Sequence, residues 1–344
     1  MNALPRSALD FVKWSPGSAD HILKKKLLDK LVLDKMQQTL DGKQAKIISE
    51  FPNNAVALKP VYMPIQSFPQ VKPGVYQFSV WPGPPPGTPQ KFGSSKWKNY
   101  AFIDSNNSGA TQNTATTKDS LQYDPAATYG LGDFIHFKID SLMASQFNSD
   151  TLGNSVRDPL SGNYMAKAGD IFVLLAMHVT TKAIKRWTWQ SMYWPPTPNQ
   201  AVAPSGSEIV AQRPTQFQTP AAGRYAMTVA YSMVNPAQPY SGGSGSKATS
   251  IYAYNPYLEA GFVPKNLQLS TKVGKTLNNF GVQTNCMSCH AYASWPGNIT
   301  DNPGDQYYTG DRYVDMLQDS VFTRLKNLQV DFLWSVQANV LPNK

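Results

Sequence analysis

The sequence is poor in charged residues and in cysteine. Asp, Glu, Lys and Arg make up 15% of its 344 residues, whereas soluble domains average about 25%. Two cysteines cannot build a disulfide framework, so the fold must be stabilised by a hydrophobic core. Disordered chains have few aromatic residues, and an aromatic content of 12% argues against that class. The length allows one large or two ordinary domains.

Long apolar runs and regular repeats are also missing. The longest apolar run covers residues 171–177, whereas a membrane-spanning helix needs about 20 apolar residues, so we expect no transmembrane segment. No apolar stretch follows Arg6, as it would in a signal peptide. The lack of a Gly-x-y period and of long heptad runs argues against collagen-like and coiled-coil structures.

The charge that is present is mostly positive. Lys and Arg number 31 against 22 Asp and Glu, for a formal net charge of +9, which favours an acidic partner. The densest basic run, Lys24-Lys25-Lys26, has no interleaved arginine or aromatic residue. We therefore expect no nucleic-acid binding. The sequence leaves the oligomeric state open.

Both cysteines lie in Cys286-Met287-Ser288-Cys289-His290, the C-x-x-C-H pattern of covalent haem attachment. Cys286 and Cys289 would form thioethers with the haem vinyl groups, and His290 would be the proximal iron ligand. A redox dithiol would need a βαβ context, and a zinc site would need further ligands. A disulfide across so tight a loop would be strained. The motif therefore predicts one covalent haem c.

The ligand on the other side of the iron is less well defined. His178, which follows the apolar run, is the first candidate for a distal ligand or distal-pocket residue. Its alternative role is a core histidine that is hydrogen-bonded to the backbone or to Thr180. Met316 is the only methionine after His290, and its polar context makes it the less favoured distal ligand. A second histidine would give a lower reduction potential than methionine.

The pattern of apolar residues predicts helix at both ends and strands between them. Residues 18–50 should be helical, capped by Asp20 and split at Gly42, and 55–65 should be an edge strand at best because of its prolines. Trp187, Trp189 and Trp194 should fill the core rather than line the haem or carry electrons. Alternation and apolar content predict further strands over 74–81, 100–103, 134–139, 171–180, 187–194 and 225–234. The strand at 171–180 is the most apolar and should be central in its sheet.

These elements predict an α+β fold with a sandwich-like, β-rich body, N-terminal helices and a C-terminal helical haem segment. The predicted divisions are an N-terminal helical segment, the body, a flexible Gly/Ser loop, and a haem-binding segment packed on the body. They cover 1–50, 51–240, 241–249 and 250–344.

Several segments together resemble a family of exported bacterial proteins described as the cytochrome c family. They are 285–290 (NCMSCH), 176–182 (AMHVTTK) with 187–190 (WTWQ), and 331–335 (DFLWS), and 51–52, 58–60 and 253–259 are similar as well. The resemblance covers most of the chain. It implies a single covalent haem and an exported location, but no substrate.

We expect an exported monohaem c-type cytochrome that transfers single electrons to a redox partner protein. Covalent haem attachment takes place outside the cytoplasm, so we expect a periplasmic or extracellular protein whose leader has been removed. One alternative is a haem enzyme, peroxidase-like or acting on small nitrogen compounds, with an open distal site where His178 or Lys182 acts. Another is a binding or structural protein whose body engages a polymer or a protein through Tyr76, Trp81 and Trp97.

Overall fold

The computed structural model describes most of the body and parts of the C-terminal segment. The described residues are 9–43, 45–85, 92–118, 122–149, 164–184, 187–230, 234–235, 249–250, 253–261, 286, 290, 292–297 and 320–341. The predicted loop at 241–249 falls almost wholly outside them. Cys289 and Met316 lie outside them as well, so their predicted roles stay predictions.

Along the chain, helices precede and follow a β-rich middle, and two short helices lie within it. They are α1 (Pro16–Lys25), α2 (Lys30–Gln38), α3 (Ser141–Asn148), α4 (Ser207–Ala211), α5 (Pro256–Glu259), α6 (Ser320–Leu325) and α7 (Trp334–Ala338). None of the helices in the described ranges is long and apolar enough to span a membrane.

The strands form two main sheets and two short pairs. In chain order they are β1 (Leu9–Asp10), β2 (Lys13–Trp14), β3 (Val56–Pro64), β4 (Gln70–Lys72), β5 (Val75–Val80), β6 (Asn99–Asp104), β7 (Thr128–Gly130), β8 (His136–Lys138), β9 (Ile171–Thr181), β10 (Thr188–Tyr193), β11 (Ala226–Ala230), β12 (Val234–Asn235), β13 (Thr249–Ser250), β14 (Ser294–Trp295) and β15 (Leu328–Gln329). The mixed α+β class with a β-rich body is therefore confirmed.

The larger sheet has the order β1-β3-β9-β10-β11, with β2 added to β3 and β8 added to β9. The smaller sheet has the order β4-β5-β6-β7. One apolar cluster joins the two sheets, since it contains Phe78 and Ile103 from the smaller sheet with Val173 and Leu174 from the larger. The body is thus sandwich-like, and β9, the most apolar strand, is central as predicted because it pairs with β3, β8 and β10.

Strand β3 is paired on both sides, so the prediction of an edge strand is wrong. One side pairs with β9, and the other pairs with β2 and then with β1. Lys13 of β2 lies opposite Leu58. Asp10 of β1 lies opposite Val61, so Pro60 faces the gap between the two short strands. Proline has no N–H to donate. Because neither β1 nor β2 lies opposite Pro60, pairing with these strands does not need an N–H at this position.

The N-terminal helical region breaks earlier than predicted. It ends first at Lys26, a left-handed residue with φ 52°, and restarts after Asp29, whose carboxylate accepts from the amides of the next helix. Ser15, rather than Asp20, caps α1. Gly42 lies in the irregular chain that follows α2. A polar cap and a left-handed residue decide this break, since both satisfy backbone groups at helix ends.

A buried ion pair fixes the end of β7 and the loop that joins β6 to β7 in the smaller sheet. Asp133 lies 2.9 Å from the Arg224 guanidinium, and its other oxygen accepts from the Thr111 amide at 2.8 Å and the Gly130 amide at 3.0 Å. Arg224 also donates to the Asn113 carbonyl at 2.7 Å. Both charges are therefore satisfied within the body, as buried charges must be.

Candidate functional site

The His290 ring packs against a tryptophan of the larger sheet. Its ring centroid is 4.2 Å from that of Trp189 on β10, at an interplanar angle of 41°. Trp189 in turn lies 6.3 Å from Trp187. Trp187, Trp189 and Trp194 are all buried, which confirms the prediction that they pack in the core. Trp189 also lines the candidate site.

The His290 imidazole has one nitrogen held by the protein. Its Nδ1 lies 2.7 Å from the carbonyl oxygen of Phe332, and a carbonyl only accepts hydrogen bonds, so Nδ1 is the protonated nitrogen. Burial lowers the pKa of His290 to about 3, although the bond to Phe332 opposes that effect. The positive charge of Lys59 lowers the pKa further. The ring is therefore neutral at pH 7, with Nε2 carrying the lone pair that metal coordination needs.

Cys286 and His290 are both helical residues. The Cys286 thiol lies 3.5 Å from the Ala253 carbonyl, and the side chain packs against the apolar cluster that contains Trp189. The structure thus brings the first motif cysteine and the motif histidine to the same core.

The segment that supplies the Phe332 carbonyl is tied directly to the chain that follows the motif. Strands β14 and β15 pair with each other, the Val330 amide donates to the Ala293 carbonyl at 2.9 Å, and the Ala293 amide donates to the His290 carbonyl at 3.1 Å. The two chain segments therefore form one unit around His290.

Asp331 connects this unit to the body. Its carboxylate oxygens lie 2.8 and 3.0 Å from the Nζ of Lys182, and one of them accepts from the Phe51 amide at 3.1 Å. The side chains of Lys182 and Asp331 are 2% and 0% exposed. Burial raises the pKa of Asp331, and the ammonium of Lys182 opposes that rise. Lys182 is thus committed to an ion pair, which is not the distal role that the enzyme hypothesis gave it.

His178 has a partner that the sequence did not predict. Its Nε2 lies 2.8 Å from Oε1 of Glu259 on α5, whereas the hydroxyl of Thr180 donates to the Thr188 carbonyl. Within the part of the chain that the structure describes, the buried Nδ1 of His178 has no hydrogen-bond partner. Across the sheet His178 is flanked by Lys59 on β3 and Ser191 on β10.

The segments that resemble the cytochrome c family meet at this site. Phe51 and Lys182 bind Asp331, Glu259 binds His178, and Phe332 binds His290. Asn255, from the same segment as Glu259, donates to Ser191 at 2.9 Å. Sequence reasoning missed Asp331, Phe332 and Glu259 as site residues, although all three lie in segments that it had singled out.

The described residues contain no group of three or more His, Cys, Asp or Glu side chains that could hold a metal ion. Comparisons with protein-family models, with curated proteins and with solved structures found no match to this chain. The candidate site is therefore defined by its own geometry and by the motif.

Proposed function

We propose that this chain is an exported monohaem c-type cytochrome that carries one electron at a time. Cys286 and Cys289 would hold the haem through thioethers, and His290 would be the proximal iron ligand. The observation that carries the proposal is the geometry of the motif histidine, whose Nδ1 is bonded to the Phe332 carbonyl and whose Nε2 is left for a metal. When bound, the haem would supply a one-electron couple at its iron.

The residues around His290 suit this role. A hydrogen bond from the second nitrogen of a ligating histidine fixes its tautomer and its orientation, and the Phe332 carbonyl accepts such a bond. Trp189 packs against the ring and restricts its tilt. Cys286, which packs against the same apolar cluster as Trp189, would bring one thioether to the site.

The function is tested by a pyridine haemochrome assay on the purified protein after acid extraction with organic solvent. We expect one haem per chain to remain with the polypeptide, because thioether bonds survive extraction. Absence of covalent haem in protein from a host that matures c-type cytochromes would overturn the proposal. The assay also tests the location, since only exported chains should acquire the haem.

His178 is the proposed distal ligand, and Nδ1 is the nitrogen that remains for it because Nε2 binds Glu259. We expect a low-spin, six-coordinate absorption spectrum in both redox states, and a His178→Ala variant should become high-spin and bind cyanide within the mixing time. His136→Ala is the matched control, since this exposed histidine lies on β8. A low-spin spectrum in His178→Ala would point to another ligand, with Met316 as the next candidate.

The haem-enzyme alternative has one supporting observation, the His178–Glu259 pair, which can accept and release a proton. High-spin ferric wild type that binds peroxide or cyanide quickly would favour it over electron transfer. The alternative of a polymer-binding body loses two of its three motivating residues, because Trp81 and Trp97 are buried.

The proposed redox partner is an acidic protein that docks at the N-terminal lysines. Lys24, Lys25 and Lys26 are exposed at the end of α1, and charge complementarity raises association rates by roughly 10–1000-fold at low salt. Replacing all three with glutamate should slow reduction by an acidic redox protein at least tenfold at low ionic strength, measured by stopped flow. The difference should shrink in high salt, and a salt-independent difference would contradict this docking site.

A further inference from the structure

We infer that the buried ion pair between Lys182 and Asp331 is a positioning device for His290, because it holds the Phe332 carbonyl where it accepts the Nδ1 proton. Lys182 and Asp331 touch neither His290 nor its Nε2 in any described contact, so they would act through Phe332. The inference rests on the proposed function, since it assigns what sets the orientation and the donor strength of the proposed iron ligand.

Asp331 is held from two directions by parts of the chain that are far apart in sequence. Lys182 follows β9 directly, and its amide donates to the Ala55 carbonyl at 2.9 Å, so its backbone is fixed to the large sheet. Its ammonium contacts both carboxylate oxygens of Asp331. The Phe51 amide donates to the carboxylate from the N-terminal side. Three bonds thus fix the position of a single buried side chain.

The backbone at Asp331 and Phe332 adopts a conformation that its surroundings must stabilise. Asp331 and Phe332 have φ values of 48° and 66°, and both lie in the left-handed region that residues with a side chain rarely adopt. Such a conformation persists only where the surroundings determine it strongly. The Phe332 carbonyl leaves the chain within this turn, so a relaxed turn would point it away from the His290 ring.

A salt bridge is a costly way to gain stability here. The free-energy cost of removing two charges from water is about as large as the gain from their mutual attraction. An apolar pair of similar size would therefore stabilise the fold equally well. The carboxylate also fixes the orientation of the turn, because its two oxygens receive three hydrogen bonds from two donor groups, the Lys182 ammonium and the Phe51 amide. The second buried pair, Asp133 with Arg224, binds loop residues of the body instead.

The expected chemical consequence is a change in ligand strength. A histidine that donates its Nδ1 proton to a carbonyl is a stronger electron donor through Nε2. Stronger donation favours ferric over ferrous iron. A loosened Phe332 carbonyl should therefore weaken the donation and raise the reduction potential.

The test compares two double variants in which a buried ion pair is replaced by uncharged side chains. Lys182→Met with Asp331→Asn removes the proposed positioning pair, and Arg224→Met with Asp133→Asn is the matched control in the body. Covalent haem content, reduction potential and the solvent exchange of the His290 Nδ1 proton are measured on each. Exchange is followed by NMR on protein labelled with 15N-histidine, which the four histidines of the chain keep simple.

We expect the first double variant to keep its haem. Its ferrous-to-ferric ratio at a fixed applied potential should rise about tenfold, which corresponds to a rise of about 59 mV in reduction potential. Its His290 Nδ1 proton should exchange with solvent at least tenfold faster. The control should match wild type in both. Should the first variant fail to accumulate, Lys182→Arg, which keeps a positive charge beside Asp331 but changes the geometry of the contact, should shift both readouts in the same direction by less.

The inference would be overturned if the variant that accumulates had the same reduction potential and the same His290 Nδ1 exchange rate as the wild type. The ion pair would then be a purely structural contact. The proposed function fails separately, by absence of haem from the wild type. In that case the exchange of the His290 proton still decides whether the ion pair positions the ring.

Discussion

A variant with Cys286→Ala and Cys289→Ala should retain no haem after denaturation, whereas the wild type should retain one per chain. Each thioether needs a cysteine sulfur, and the sequence offers no other cysteine. The measurement is haem staining of a denaturing gel, quantified by the pyridine haemochrome spectrum. Ser288→Ala is the control, because it changes the same motif but keeps both sulfurs and the histidine.

The body of this cysteine-free variant should still fold. Cys286 packs against one apolar cluster as a partly buried residue, and the cluster between the two sheets does not include it. A group that binds only the native state stabilises it by mass action, so the variant should melt at a lower temperature while keeping the far-UV circular dichroism of a β-rich protein. Covalent haem in the double variant would show that C-x-x-C-H is not the attachment site.

The second large effect is expected from Lys182→Met, which should lower the free energy of unfolding by about 3–5 kcal/mol. Removing one partner of a buried ion pair leaves the other charge uncompensated, and this is the magnitude found for such changes. For a chain of this size that corresponds to a fall of roughly 4–7 °C in Tm. Urea denaturation followed by tryptophan fluorescence measures it.

Lys138→Met is the matched control, because Lys138 is an exposed lysine at the end of β8. Exposed substitutions usually change stability by about 0.5 kcal/mol or less. The Lys182→Met, Asp331→Asn double variant should recover much of the lost stability, since it leaves no buried charge unpaired. Equal stabilities for Lys182→Met and Lys138→Met would contradict the buried ion pair.

The loss caused by Lys182→Met should also depend on pH. Burial already raises the pKa of Asp331 in the wild type, and Lys182 opposes that rise, so the variant should raise the pKa further. A carboxyl whose pKa is higher folded than unfolded binds more protons in the folded state, and stability then falls as pH rises. The deficit of the variant should therefore be largest near neutral pH and shrink as the pH is lowered toward the pKa range of free carboxyls.

Much of the sheet was predictable from local patterns. Alternation of apolar and polar residues predicted β5 and β10, because alternate side chains of a strand face opposite sides of a sheet. The continuous apolar run predicted that β9 is central, since both of its faces are covered. Strand β3 was misjudged because the tolerance of Pro60 depends on where β1 and β2 end, and no pattern within β3 carries that information.

The sequence by itself determined the prediction of covalent haem attachment. The two cysteines and His290 lie within five consecutive residues, so their pattern predicts a covalent haem and its proximal ligand without reference to any distant residue. Their surroundings could not be predicted in this way. The partners of the site are separated by 42 residues for His290 and Phe332, 81 for His178 and Glu259, and 149 for Lys182 and Asp331.

Only the tertiary structure decided those pairs, because contacts over such distances depend on sheet register and on how the C-terminal unit packs against β9 and β10. A lysine and an aspartate far apart in sequence give no sign of being buried together. Their burial follows from the fold. Lysine and aspartate are usually surface residues, but here the fold places them where they position the Phe332 carbonyl that accepts from His290.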